Sequence, residues 1–299
     1  MSGYYPYLLC GLPELNFNMN PDSFSYQDLY NQIFELLSPA DQRLAELFLA
    51  FPRNEEVAKA YLPMQAEEEE REEFLTDCPW PAYQKELYRH NLAYWLEGDE
   101  EASLSKRPEE ETILILKRKL DEAFYNCMSR YRNKFVRLWY DFDLTLKNTL
   151  VAFAARKQKR PADKEFVLPK ALAPKPEEGF SEEAEPELIT WIKENMGQGD
   201  FGLKLRLSYA EELFAALDSE DVYVRERKVD QFRWNMLDEM ILDKDFQMDV
   251  VLAYLVKMQI LKRWQDMDAA AGRQYLQETV ASLRKVKLGE DEARKQRDY

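Results

Sequence analysis

Glycine, cysteine and histidine are all scarce in this sequence, with 9, 3 and 1 among 299 residues. So few glycines argue against a sheet protein, whose tight hairpin turns draw heavily on that residue. The single histidine, His90, cannot furnish the paired imidazoles of a carboxylate-bridged metal site between helices, and it reads as a helix-surface or interface residue. Cys10, Cys78 and Cys127 are odd in number, far apart and without a C-x-x-C pair. They offer neither a disulfide framework nor a zinc site, and the expectation is buried free thiols. Long apolar runs are missing as well. Val250 to Val256 is among the longest, far short of the ~18 to 20 residues that cross a bilayer. The N-terminus has no basic region leading into a hydrophobic one, so no signal peptide is expected and the chain reads as cytoplasmic.

Positive charge is also in deficit. The formal net charge of -15 opposes broad binding to nucleic acid or to anionic membrane, both of which repel such a chain at long range. The deficit is uneven, because the stretch from Tyr125 to Arg160 holds nine Lys or Arg against Asp141 and Asp143, a local excess of seven positive charges. The chain is thus a charge dipole along its sequence, an asymmetry suited to a protein oriented by its partners.

What is abundant is apolar residues at helical spacing: 45% of the chain is hydrophobic, enough for a substantial core, and the pattern predicts an all-α protein. In "SFSYQDLYNQIFELLS" the residues Tyr26, Leu29, Tyr30, Ile33, Phe34 and Leu37 share one face, with Ser25 as N-cap. "SPADQRLAELFLAF" restarts a helix with Ser38 as cap and Pro39 at its first position. Pro52 and Pro63 punctuate further short helices, and another helix is expected from about residue 83 to 97. The longest helical pattern runs from about Glu109 to Lys157, with an interruption expected near "YDFDLT". Five prolines from Pro161 to Pro186 then mark a linker or surface loop, after which helical spacing resumes to about Leu288. The expected organisation is an N-terminal helical lobe over 1–105, connecting helices over 106–160, a proline-rich segment over 161–186 and a C-terminal helical lobe over 187–299.

Motifs with chemical promise weaken in context. "GQGDFG", Gly197 to Gly202, has the G-x-G-x-x-G spacing of a dinucleotide fingerprint. That fingerprint needs a preceding buried strand, whereas "PELITWIKENM" is amphipathic at helical spacing, so Gly197 is expected to end that helix in a left-handed conformation. The acidic run Glu67, Glu68, Glu69, Glu70 reads as a solvated helix face whose carboxylates do not converge on a cation. Asp141 and Asp143 are expected as caps at a helix–helix turn. In "SRYRNKFVRLWY" the aromatic and basic residues separate on a helix. Phe135, Leu138, Trp139 and Phe142 are predicted to face a core, leaving Arg130, Arg132, Lys134 and Arg137 as a stripe for solvent or a partner. No catalytic group, cofactor site or metal site is expected.

"FQMDVVLAYLVKMQILKRWQDMDAAAGRQYLQETVASL", Phe246 to Leu283, resembles the end of the V-type ATPase C-subunit family, the d-subunit family of eukaryotes; Tyr254, Leu255, Lys257, Ile260 and Leu261 carry the likeness. That family's acid before the isoleucine is replaced here, Gln259 being the nearest polar residue. "YYPYLLCGLPEL", Tyr4 to Leu15, is similar to the family's aromatic opening, and closer still to a bacterial family of unknown function encoded beside V-type ATP synthase genes. "WYDFDLTLKNTLVAFAARK", Trp139 to Lys157, is similar to its mid-chain pattern, with Asp143, Asn148 and Arg156 as counterparts at wider spacing. The resemblance implies a funnel of helical hairpins in two to three lobes, seated on the membrane's cytoplasmic side. Its implied partners are the proteolipid ring and the central-stalk subunits of a rotary ATPase, and the membrane is met only through them. Arg130, Arg132, Lys134, Arg137, Arg156, Lys157 and Glu67 to Glu70 are the candidate partner contacts. Val251, Leu252, Leu255, Met258 and Trp264 are expected to pack within the lobe, with Lys257, Lys262 and Arg263 outward.

Overall fold

A computed structural model describes residues 3–19, 25–50, 54, 58–59, 109–129, 131–162, 165–168 and 187–266. These residues are mostly helical, without strands, as the apolar spacing requires. The elements are α1 (Pro6–Gly11), α2 (Tyr26–Leu36), α3 (Pro39–Phe48), α4 (Glu109–Ser129), α5 (Lys134–Gln158), α6 (Glu187–Glu194), a 3-10 turn (Leu203–Leu205), α7 (Ala210–Leu217), α8 (Val222–Ile241) and α9 (Met248–Asp266). His90, Cys78, the helices expected between residues 60 and 100, most of the proline-rich segment and everything after Asp266 lie outside the described residues.

Local chemistry sets the helix starts. Ser25 Oγ accepts from the Asp28 amide at 3.3 Å, and Ser38 Oγ from the Asp41 amide at 3.2 Å with Pro39 at the first position. Each cap satisfies one of the amides that a helix start leaves without an internal partner. The long helical stretch breaks around residues 131–133 and not at "YDFDLT". Asn133 is extended, its side chain accepts from the Val136 amide at 3.0 Å, and Arg137 turns back to donate to the carbonyls of Tyr131 (2.6 Å) and Arg132 (3.1 Å). The acids of "YDFDLT" stay within α5, so Asp141 and Asp143 do not cap a turn.

α9 lies at the hub. Val251, Leu252, Leu255 and Met258 are fully buried and Trp264 is buried, in one core that also contains side chains of α1, α2, α3, α4, α5, α7 and α8. Burial of each large apolar side chain contributes about 1.5–3 kcal/mol, which explains why this segment is apolar nearly all round. Lys262 and Arg263 face outward as expected. Lys257 does not: its side chain is only 12% exposed, paired with Asp238 and laid over the Trp234 ring at 4.9 Å. Leu138 departs the other way. It is 47% exposed, while Phe135, Trp139 and Phe142 are buried.

The N-terminal segment belts the hub. The Tyr5 amide donates to the Phe246 carbonyl at 2.6 Å and the Met248 amide to the Gly3 carbonyl at 3.0 Å, around an isolated antiparallel bridge between Tyr4 and Gln247. Further along, Tyr254 donates its hydroxyl to the Pro13 carbonyl at 2.8 Å, and Phe17 meets Trp234 edge-on at 5.7 Å.

A second, smaller core sits at the C-terminal end of α5, where Ala152 and Ala155 pack with Phe166, Ile189, Ile192, Phe201 and Leu203. The start of the proline-rich segment is therefore packed and not a free loop: Phe166 and Val167 are buried, and Asn148 holds Val167 by donating to its carbonyl (3.0 Å) and accepting from its amide (2.9 Å).

Candidate functional site

The feature of this body that most resembles chemistry is a set of three buried aspartates, each tying one helix to the next. Asp121 on α4 accepts from Lys147 on α5, from Lys117 at 3.1 Å and from Asn54 at 2.8 Å. Asp143 on α5 accepts from the Tyr125 hydroxyl of α4 at 2.6 Å and from Arg233 Nε of α8 at 3.4 Å. Asp230 on α8 accepts from Arg233 at 3.0 Å and from Trp264 Nε1 of α9 at 2.9 Å, and forms an ion pair with Arg263 of α9 at 3.0 Å. A fourth buried acid, Asp249, accepts from Asn133 at 2.7 Å and joins the start of α9 to the start of α5.

The electrostatics follow from burial and from these pairs. Burial pulls the Arg233 guanidinium toward its neutral form, but Asp143 and Asp230 outweigh it and hold the pKa above the ordinary arginine range. Burial lowers the Lys147 ammonium below its usual value, with Asp121 opposing the shift. Burial and then the Asp143 charge push the Tyr125 phenol well above its normal range, so it stays a hydrogen-bond donor at any physiological pH. Tyr209 is pushed up to about 12 by burial and by Asp141. Each aspartate is thus surrounded by donors from its own chain. Among the described residues, no three His, Cys, Asp or Glu side chains are grouped so as to hold a metal ion.

The expected partner-facing residues divide into three groups. Arg132, Lys134 and Lys157 are exposed. Arg137 and Arg156 are engaged within the fold, Arg137 on the carbonyls before α5 and Arg156 on those of Gln198 (2.5 Å) and Gly199 (2.8 Å), stacked at 4.2 Å on Phe201. Arg130 and Glu67, Glu68, Glu69 and Glu70 lie outside the described residues.

The glycine-rich stretch is closed from within. It follows α6, a helix, and two of its carbonyls are taken by Arg156, so it presents no strand-to-helix turn of the kind that receives a pyrophosphate. Gly197 does not adopt the left-handed conformation expected of it. Phe201 (φ 53°) and Gly202 (φ 66°) do, because the chain reverses there to bury Phe201 and Leu203. Among the cysteines, Cys10 is exposed, contrary to expectation, whereas Cys127 is partly buried and its thiol is pushed up by that burial.

The aspartate links escaped a reading by residue type, since acids are common in this chain. A positional signal was present nonetheless. Asp143 falls on the same helical face as Trp139, Phe142 and Leu146, where a charge is retained only if it is partnered.

No helix among the described residues is long and apolar enough to cross a membrane. No curated protein and no solved structure matches the chain. A family model described as "Protein of unknown function (DUF2764)" matches residues 1–286, and the chain belongs to that family.

Proposed function

We propose that this chain is a non-catalytic subunit of a V-type rotary ATPase or ATP synthase, coupling the central stalk to the membrane proteolipid ring and held at the cytoplasmic face by protein partners. One observation carries the reading: the three segments that bear the resemblance, remote in sequence, contribute to a single core. Tyr4 to Leu15 lies against Phe246 and Tyr254, and Trp139 and Tyr140 share the cluster that buries Leu255 and Leu261. The mid-chain counterparts each have a structural task. Asp143 joins three helices, Asn148 fixes Val167, and Arg156 closes the glycine-rich stretch.

Using the buried charges to join helices supports a coupling role over a catalytic one, because a rotor adaptor transmits load through packed helices. The test is affinity purification from native membranes in mild detergent, followed by mass spectrometry. Recovery of central-stalk subunits together with the proteolipid is the expected result; a preparation free of both contradicts the proposal and leaves a helical adaptor with other partners.

A further inference from the structure

The smaller core ends in a cluster of outward cations. Lys157 is exposed one residue beyond the anchored Arg156, and Lys159, also exposed, caps α5 in a left-handed conformation (φ 53°). The 3-10 turn that packs Leu203 against the same core presents Lys204, Leu205 and Arg206 to solvent, with Leu205 85% exposed. Arg206 is stacked on Trp191 at 4.2 Å, so its guanidinium is preset. A protein of net charge -15 that exposes these cations and a leucine beside one small core has there a surface complementary to acid and not to phosphate polymers, which the rest of the molecule repels.

We infer that Lys157, Lys159, Lys204 and Arg206, with the exposed Leu205, form the docking surface for an acidic protein partner that offers an apolar notch. The inference rests on the coupling role proposed above and assigns its contact face. Arg156 stays out of the contact, since its guanidinium is spent on Gln198 and Gly199.

The experiment titrates the full-length protein against a purified V-type ATPase rotor, shaft subunits with proteolipid ring, depleted of this chain. The quadruple variant Lys157→Glu, Lys159→Glu, Lys204→Glu, Arg206→Glu is compared with a control, Lys228→Glu with Lys244→Glu, on α8 and just beyond it. Circular dichroism and thermal melting establish that both variants fold. The expected result is tight wild-type binding that weakens with salt, a loss of about tenfold or more in the quadruple variant, and a control close to wild type. Equal binding by the quadruple variant, or an equal loss in the control, overturns the surface and leaves the coupling role standing. No binding by the wild type overturns both. Wild-type binding to phosphatidylglycerol vesicles that the quadruple variant abolishes moves the surface to lipid and overturns the assignment to a protein.

Discussion

The two cores of this protein handle charge in opposite ways. In the larger one, carboxylates are buried between helices and each meets donors from a neighbouring helix, as Asp143 meets Tyr125 and Arg233. In the smaller one, no buried acid is found among the described residues; the core is apolar, and cations stack on its aromatic rings, Arg156 on Phe201 and Arg206 on Trp191. Removing one partner of a buried pair leaves an uncompensated charge, so the larger body has a fixed arrangement of α4, α5, α8 and α9. The exposed Lys157, Lys159 and Lys204 beside the smaller core are in contact with solvent and accessible to another molecule. Charge specifies the fold in one region and, on the docking surface proposed above, the contact in the other.

The largest effect that can break this contrast lies in the aspartate links. Asp230→Ala removes the acceptor shared by Arg233, Arg263 and Trp264, leaving Arg233 with Asp143 alone and Arg263 with Glu226, and a loss of about 3 kcal/mol in urea unfolding is expected. Replacing Asp143 and its two partners with apolar residues, Asp143→Leu with Arg233→Met and Tyr125→Phe, leaves Asp230 with Trp264 and Arg263 and should recover much of what Asp143→Leu alone loses. If the single variant matches wild type, the links are not what fixes the helices.

Alkali gives the next effect. Burial raises the pKa values of Tyr125, Tyr5, Tyr131, Tyr209 and Tyr254. In the window between the ordinary phenol value and the raised one, the unfolded chain releases protons that the native chain keeps. Stability from these groups is therefore fully present below about pH 10 and falls as pH rises, by up to about 1.4 kcal/mol per pH unit for the fully buried Tyr125 and by less for the others, which solvent screens. Thermal melts in buffers above about pH 10 should show this fall, and Tyr125→Phe should make it shallower.

Glycine substitutions sharpen the comparison inside the smaller core. Gly202→Ala forces a left-handed residue and brings a methyl to 3.2 Å from Trp191 Nε1. A loss of about 1–2 kcal/mol is expected from the left-handed conformation alone. Gly197→Ala meets nothing within 4 Å and should change stability little. The smallest effect belongs to the outward cations. Lys157→Glu and Lys204→Glu should each stay within about 0.5 kcal/mol of wild type in the isolated protein, as is usual for exposed positions.

Much of the fold was legible in the sequence. Ser25 and Ser38 announced their helices because capping is local chemistry, and the buried face of α9 followed from its spacing of apolar residues. The break before α5 was misplaced because Asp141 and Asp143 have the residue type of caps, while Asn133, which does cap, is one unremarked polar residue in a basic stretch. The joining role of Asp121, Asp143 and Asp230 depends on partners up to 90 residues away, as between Arg233 and Asp143, which no local window contains. The cation cluster was half visible. Lys157 stood out by local charge, but Lys204 and Arg206 are related to it only through the core that Leu203 and Ala155 share.

Lysine-directed cross-linking of native membranes, read by mass spectrometry, tests the coupling role most directly. The account predicts cross-links from Lys157, Lys159 and Lys204 to central-stalk or proteolipid-ring subunits of a V-type ATPase. Cross-links from those lysines that reach only proteins outside that complex would contradict it.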